Sequence, residues 1–461
     1  MTRFFLVGYY FIACLVRTVI YPLLHVVSTF HPWIRRRKKF EDKNRTDELS
    51  VSFLETGRRA DIAFEVSSEG ELEQIRPVLL QALEEKQNVE LVYSSESVEK
   101  KCVSLASMHR DNLRILRLPI ITFSLFPWPS SQNIFSWLTA KKLILCRYDF
   151  FPELMLYGGR SDVVFILLSA TLKNKKIHGL RGIFCREIFN FFKLIVSATD
   201  RDADRFMELG IEQKKISVFD FRVIQIMDRM KNAGSVLKKW DFFEDYNGYL
   251  DGFSIDSRLL FGSAWPSEMG VFKNHEFIKC IMDGKISVTI APHKLGKGFI
   301  DEIINSIKKF ANDPLLEIYH LSGDMNSDEI RELFLNLKKK PGILVSSVPG
   351  ILCELYSLHG NVFVGGGHGR SIHSVLEPYL AMANVFCGPK VHRSTEYDFI
   401  LDNSPDFITI VFEIDKFYEI FNERYQKVID SGKRKKLMTG FDVQFIDVYR
   451  KILGKGCDLY A

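Results

Sequence analysis

Two carboxylates at expected strand ends and one glycine-rich loop are the residues whose types and spacing carry chemistry. The stretch Asn361-Val-Phe-Val-Gly-Gly-Gly-His-Gly-Arg-Ser-Ile-His-Ser-Val-Leu-Glu-Pro378 runs from a short apolar strand, Val362–Val364, into four glycines, with a helix expected to open near Ser374. Glycines let backbone N–H groups approach an anion, and a helix N-terminus adds partial positive charge, so the run Gly365, Gly366, Gly367 and Gly369 suits a phosphate or pyrophosphate. His368 or Arg370 would add charge-assisted donors, and Glu377 suits the two vicinal hydroxyls of a ribose. Ser374-x-x-Glu377 also reads as a helix capping box. The run lacks the G-x-G-x-x-G spacing of a dinucleotide fingerprint.

The second carboxylate lies in Val66-Ser-Ser-Glu-Gly-Glu71, after the first strand candidate. Glu71 is placed to take a proton from an attacking hydroxyl. Ser68-x-x-Glu71 is again a possible capping box, and Glu69 and Glu73 are its rivals by composition. Smaller signals are Gly262-Ser263, suited to a phosphate or sugar, and Pro292-His293-Lys294, suited to a base or carboxylate.

These positions are held by an alternation of strands and helices. Strands are expected at 62–66, 89–93, 143–146, 163–168 and 194–196, and again at 259–262, 286–290, 316–319, 343–345, 362–364, 385–387 and 408–411. Amphipathic segments at 71–84, 203–209, 302–310, 328–338 and 417–428 lie between several of them. The pattern predicts an α/β protein with two doubly wound parallel sheets, whose ligands bind beyond the carboxyl ends of the strands. A polar linker is expected at 41–49, and a charged boundary at 229–245.

The 461 residues exceed one comfortable core, and 46% hydrophobic against 26% charged residues exclude wholesale disorder. The 38 phenylalanines concern packing. The eight cysteines include no C-x-x-C pair, which indicates neither structural zinc nor a disulfide framework. The net charge of +5 is small, and its excess gathers near the N-terminus. There Phe4–Phe30 is apolar apart from Arg17, Pro22 and His25, and Arg35-Arg36-Arg37-Lys38-Lys39 follows. A span needs about 20 apolar residues, so the segment either crosses with Arg17 snorkelling or lies in the interface, the basic cluster facing anionic head groups on the cytoplasmic side. The basic residues are not interleaved with aromatics, which disfavours nucleic acid.

Taken in order, these residues resemble the Kdo transferase family, membrane-associated enzymes that add 3-deoxy-D-manno-oct-2-ulosonic acid (Kdo) to lipid A precursors. Ser68-Glu-Gly-Glu71 is similar to the family's S-V-G-E, Asp149-Phe-Phe-Pro152 to E-L-W-P, Gly262-Ser263 to G-S-T-H and Pro292-His293 to P-R-H. Gly350 with Leu355-Tyr356 is similar to D-T-M-G-E-L…L-Y. Val364-Gly-Gly through His373-Ser-Val-Leu-Glu-Pro378, then Phe386-Cys-Gly-Pro389, is similar to V-G-G…G-H-N-P-L-E-P…G-P. The chain departs from the pattern at His293, which stands for Arg, at Trp265-Pro266, at Ser347 and Ile351, which replace acidic residues, and at Asp149.

The resemblance implies a GT-B glycosyltransferase, two Rossmann-like domains facing across a cleft, with an N-terminal membrane-anchor helix. It implies an anchor and basic flank at 1–40, an acceptor domain at 41–235, a nucleotide-sugar domain at 236–435 and a returning terminal helix at 436–461. It further implies inverting transfer, without metal or cofactor, from CMP-Kdo to the lipid A precursor lipid IVA at the cytoplasmic face of the inner membrane. Glu71 would be the general base and Glu377 the ribose-binding carboxylate. Gly366, Gly367 and Ser374 would lie near the phosphate, Pro292 and His293 near the cytosine, Gly262 and Ser263 along the nucleotide sugar, and Asp149 at the acceptor or the cleft wall. The alternatives are a GT-B transferase using a UDP-sugar and a lipid-linked acceptor, and a non-catalytic membrane scaffold.

Overall fold

The computed structural model describes residues 29–46, 52–118, 138–147, 163–172, 179–392, 394–425 and 432–454, with Gly8, Ile12, Leu23, Val26 and Val27. Most of the apolar segment 4–30 and the whole of Asp149-Phe-Phe-Pro152 lie outside the described residues. Among those described, no helix is long and apolar enough to cross a membrane. The chain divides into two compact units, one of Met1–Gln225 with Val443–Ala461 and the other of Ile226–Asp442.

In the first unit, β1 (Ile62–Val66), β2 (Val89–Tyr93), β3 (Leu113–Arg117), β4 (Lys142–Cys146), β5 (Val164–Ala170), β6 (Leu194–Ser197) and β7 (Ile216–Val218) form one parallel sheet ordered β3-β2-β1-β4-β5-β6-β7. Every residue of β1 and β2 is buried, as a sheet covered on both faces requires. Two strands of this sheet escape a hydrophobicity reading. β3 carries Arg114 and Arg117, and β7 is a three-residue edge strand. The arginines are tolerated because carboxylates meet them: Arg114 pairs with the fully buried Glu90 at 3.3 Å, and Arg117 with Glu99 at 2.7 Å. Glu90 also accepts hydrogen bonds from the Thr139 and Ala140 amides and the Thr139 hydroxyl.

The expected linker at 41–49 is corrected in its first half, because Pro32–Thr46 is one helix. Its polar residues are used in docking. Glu41 is buried and pairs with Arg37 at 2.6 Å, while Asn44 exchanges hydrogen bonds with the Arg117 backbone at 2.8 and 3.1 Å. Two members of the basic cluster are likewise engaged by the fold, Arg37 with Glu41 and the Leu118 carbonyl, and Arg36 with Glu96.

In the second unit, β8 (Arg258–Ala264), β9 (Ser287–Pro292), β10 (Glu317–Leu321), β11 (Gly342–Ser346), β12 (Asn361–Val364), β13 (Asn384–Cys387) and β14 (Ile408–Ile410) form a second parallel sheet ordered β10-β11-β9-β8-β12-β13-β14. All seven stand where the apolar runs predict them, within one or two residues. The region 229–245 is not an open boundary. It carries the helix Ala233–Leu237 and parts of Phe221–Lys231 and Phe243–Leu250, and Tyr246 donates to or accepts from Thr289 and His359, each at 3.0 Å, inside the core.

Candidate functional site

In each sheet the strand order reverses beside the first strand of the unit, between β1 and β4 and between β8 and β12. Crossover helices diverge to opposite faces there and leave a crevice at the carboxyl ends.

At the first reversal the chain leaves β1 and enters the helix Glu69–Glu84. Ser68 is its N-cap, accepting from the Glu71 amide at 3.3 Å. The reciprocal half of the expected capping box is displaced by one residue. The Glu71 carboxylate accepts from the Ser67 amide and the Ser67 hydroxyl, both at 2.7 Å and both on Oε2. Glu71 is thereby buried and fixed beside β4, whose Cys146 sulfur lies 3.9 Å from the Glu71 carbonyl. Its rivals are held elsewhere: Lys101 pairs with Glu69 at 3.1 Å and with Glu73 at 3.0 Å, and Glu73 also accepts from Gln225 at 3.1 Å. Arg147, in the left-handed region with φ 62° just past β4, donates to Gln74 at 3.1 Å. Asp149 follows it, outside the described residues.

At the second reversal the structure brings Gly262, Ser263, Pro292, His293, Gly366 and Gly367 together. Gly262 registers with Val364 on one side and Ala291 on the other, and Ala264 with Pro292 across a bulge. Ser263 sits in that bulge at φ 52°, a costly conformation for a side chain other than glycine. The His293 amide closes the turn onto the Ala264 carbonyl at 3.0 Å. Gly262 is needed for packing, since a Cβ there would fall 2.4 Å from the buried Tyr356 hydroxyl.

The glycine run is packed against its own unit. Gly366 has φ 95°, and a Cβ on it would meet the Ser371 carbonyl at 2.4 Å; the Gly367 backbone lies against Gly388. Moreover, the Gly366 N–H already donates to Glu268 at 2.7 Å, and the other oxygen of Glu268 accepts from the Trp265 amide at 2.9 Å. Glu268 thus ties the chain after β8 to the chain after β12. Burial pushes its carboxyl up to about 7, against the pull of those two amides. Below about pH 4.5 this carboxyl is neutral in folded and unfolded chains alike; from there to about 7 only the unfolded chain ionises it, so stability falls by about 3 kcal/mol and then levels. Glu268→Gln cannot titrate, so its stability deficit is expected to shrink between pH 5 and pH 8, read as denaturant midpoints at the two pH values. A deficit independent of pH would contradict this.

The helix after the run, Leu376–Leu380, is one turn long, and the capping box predicted at Ser374 is not formed. Glu396 supplies the cap instead, accepting from the Ser374 hydroxyl at 2.9 Å and from the Val375 and Leu376 amides at 3.0 and 3.2 Å. Glu377 turns inward to the Cys353 thiol. The residue is only partly covered, but its carboxyl end is desolvated, and burial, opposed by Arg229, pushes it up to about 7. Arg229 itself is clamped by a bidentate pair with Glu354, both contacts 2.9 Å. The far end of the short helix is held by the buried Arg434, which donates to the carbonyls of Tyr379 and Ala383 at 3.2 and 2.8 Å and lies 3.8 Å over the Phe407 ring.

Rings gather at the same strand ends. His293 lies 4.2 Å from His373 and 4.7 Å from Trp265, and the Trp265 indole N–H donates to His373 Nε2 at 3.2 Å. Glu268, Arg229, Glu354 and Glu396 are members that the sequence did not mark as site residues, while Trp265 stood out only as a departure from the family pattern and His373 only as part of the glycine block. For Glu268 the available signal was an acidic residue in an otherwise apolar stretch; for Glu354, a carboxylate one helical turn beyond Ile351, where the family motif has its acid. Among the described residues, no group of three His, Cys, Asp or Glu side chains is placed to hold a metal.

Residues 34–220 match the family model described as 3-deoxy-D-manno-octulosonic-acid transferase (kdotransferase). No match was found among curated proteins. Similar solved structures include a UDP-GlcNAc 2-epimerase from Methanocaldococcus jannaschii, at 11% identity and TM-score 0.49, covering 84% of this chain and 99% of that one. Alr3699/HepE from Anabaena in complex with UDP has 11% identity and TM-score 0.46, covering 85% and 95%. The C-terminal CMP-Kdo binding domain of WaaA from Acinetobacter baumannii has 17% identity and TM-score 0.31, covering 49% of this chain and 98% of that domain.

Proposed function

We propose, from the match of residues 34–220 to the Kdo transferase family model, that the chain is a glycosyltransferase of that kind and transfers Kdo from CMP-Kdo to the lipid A precursor lipid IVA. The observation that carries this reading is Glu71 at the strand-order reversal of the matched unit, buried and fixed by Ser67 while Glu69 and Glu73 are occupied by Lys101. In the proposed reaction an acceptor hydroxyl oxygen bonds to the anomeric carbon of Kdo as Glu71 takes its proton. The bond to the phosphate oxygen breaks from the opposite side, its electron pair leaving with CMP, so the anomeric centre inverts. CMP is a stable leaving group, so positioning and donors for its charge do most of the work, without metal or cofactor.

Glu377, close to Arg229, is assigned to the ribose hydroxyls. Gly262, Ser263, Gly367 and Ser374 are assigned to the phosphate and sugar, and Pro292 and His293 to the cytosine. Gly366 is assigned to shaping the loop, since its N–H is given to Glu268. Asp149 is assigned to the acceptor. Residues 1–40 are assigned to attachment at the anionic cytoplasmic face of the inner membrane, a reading supported by the exposed Phe30 and Trp33 beside the basic helix.

The test is a transferase assay with CMP-Kdo and lipid IVA, read by mass spectrometry of the lipid, beside parallel reactions with UDP-sugars. Kdo added to the lipid is the expected product, and the mass gives the number of sugars. Turnover of a UDP-sugar with none of CMP-Kdo would replace the donor in this proposal.

A further inference from the structure

The indole of Trp265 has a single polar atom, and that atom can only donate. Its N–H points to His373 Nε2 at 3.2 Å, so Nε2 must offer its lone pair and the ring proton must sit on Nδ1. The two rings are inclined by 1° with centroids 6.4 Å apart. That separation, with a hydrogen bond that runs in the plane of the indole, describes an edge-to-edge tile rather than a face-to-face stack. His293 covers the tile, inclined 22° to Trp265 and 21° to His373. Gly366 admits the His373 ring, since a Cβ there would fall 3.2 Å from Nε2.

We propose that Trp265 is a positioning residue that locks His373 into the Nδ1–H tautomer, so that the loop after β12 carries a fixed neutral hydrogen-bond donor. The assignment rests on the reading of that loop as the nucleotide-sugar site, and it explains a departure from the family motif: the indole stands where the G-S-T-H segment continues, and it acts on the histidine of the glycine block.

The surroundings act in the same sense. Adding a proton to Nε2 would set two N–H groups against each other. The charged and titratable neighbours are His293, packed on the ring, and Lys294, whose Nζ lies 5.7 Å from the Trp265 ring; both oppose a positive charge on His373. Glu268, on the segment after Trp265, is occupied by the Trp265 and Gly366 amides. Burial, and then His293, hold His373 below the ordinary imidazole range. A ring so fixed offers an anionic oxygen an Nδ1–H without exchanging its own proton as pH changes.

The test is nitrogen-15 NMR of the histidine rings in the full-length chain without ligand, the His373 signal being identified by its loss in His373→Gln. The wild-type signal is expected to show the Nδ1–H pattern at pH 8 and to keep it to lower pH than Trp265→Phe does. Trp265→Phe keeps a ring on His293 but removes the N–H. Its His373 signal is expected to mix tautomers and to titrate at higher pH than the wild-type ring. An Nε2–H pattern in the wild type, or a Trp265→Phe signal identical to wild type, overturns the lock, and the first is read without the Trp265→Phe variant. Adding CMP is a separate arm. Shifts of the His373 and His293 resonances support the donor's place in this loop; their absence overturns that place and is distinguishable from failure of the lock, which is read before ligand is added.

Discussion

Glu71→Gln is expected to lower the rate of Kdo transfer by about 10²–10⁴, the span associated with loss of a positioned general base, while CMP binding stays within about twofold of wild type. The separation of the two effects follows from the architecture. Glu71 is held in the first unit by Ser67, whereas every residue assigned to the nucleotide belongs to the second. Ser67→Ala removes one of the two bonds on Oε2 and leaves the amide, so a smaller loss is expected. Single-turnover transfer with saturating CMP-Kdo is the measurement. A Glu71→Gln protein that transfers Kdo at the wild-type rate would remove Glu71 from the mechanism, and one that loses CMP binding as well would point to a structural role.

Glu377→Gln is expected to weaken CMP-Kdo binding by about 10–100-fold, because hydrogen bonds from ribose hydroxyls to an ionised acceptor contribute roughly 1.5–3 kcal/mol. Its protonation gives the pH signature. With the carboxyl raised to about 7 by burial, the accepting form is a minority at pH 6 and a majority at pH 8. Wild-type affinity should therefore rise with pH across that interval, by up to about tenfold per pH unit below 7, and that component should vanish in Glu377→Gln. Calorimetric titration at pH 6, 7 and 8 reads both effects. Equal affinity of the two proteins at pH 8 would exclude Glu377 as a ribose ligand. On stability the same group acts in the opposite direction. The folded carboxyl resists ionisation between about 4.5 and 7, so its contribution declines as pH rises through that window.

Much of the fold was legible because parallel sheets covered on both faces need continuous apolar runs, and Leu143–Cys146 or Val362–Val364 can hardly be anything else. β3 was hidden because its two arginines are neutralised by Glu90 and Glu99, residues 24 and 18 positions away in the chain. The helical character of Glu41–Thr46 was hidden for a related reason, since polarity there serves docking rather than solvation. At the site, strand-end glycines and carboxylates announce themselves by type. What they bond to does not follow from type. Ser68-x-x-Glu71 and Ser374-x-x-Glu377 look alike as capping boxes, but one is displaced onto Ser67 and the other gives way to Glu396, 22 residues from Ser374. Glu268 lies 98 residues from Gly366, and only the adjacency of β8 and β12 brings them together.

Both passages of the chain between units run inside helices, Phe221–Lys231 and Gly432–Leu453, and the second delivers Phe445, Val448, Tyr449 and Ile452 into the first unit. Phe445 packs beside Phe219 and Phe221, and Tyr449 hydrogen-bonds Gln87. On the ribosome, the unit synthesised first therefore completes its hydrophobic interior last, after the whole of the other has emerged. A premature stop near residue 440 would leave an intact second sheet attached to a first one missing its final aromatic wedge.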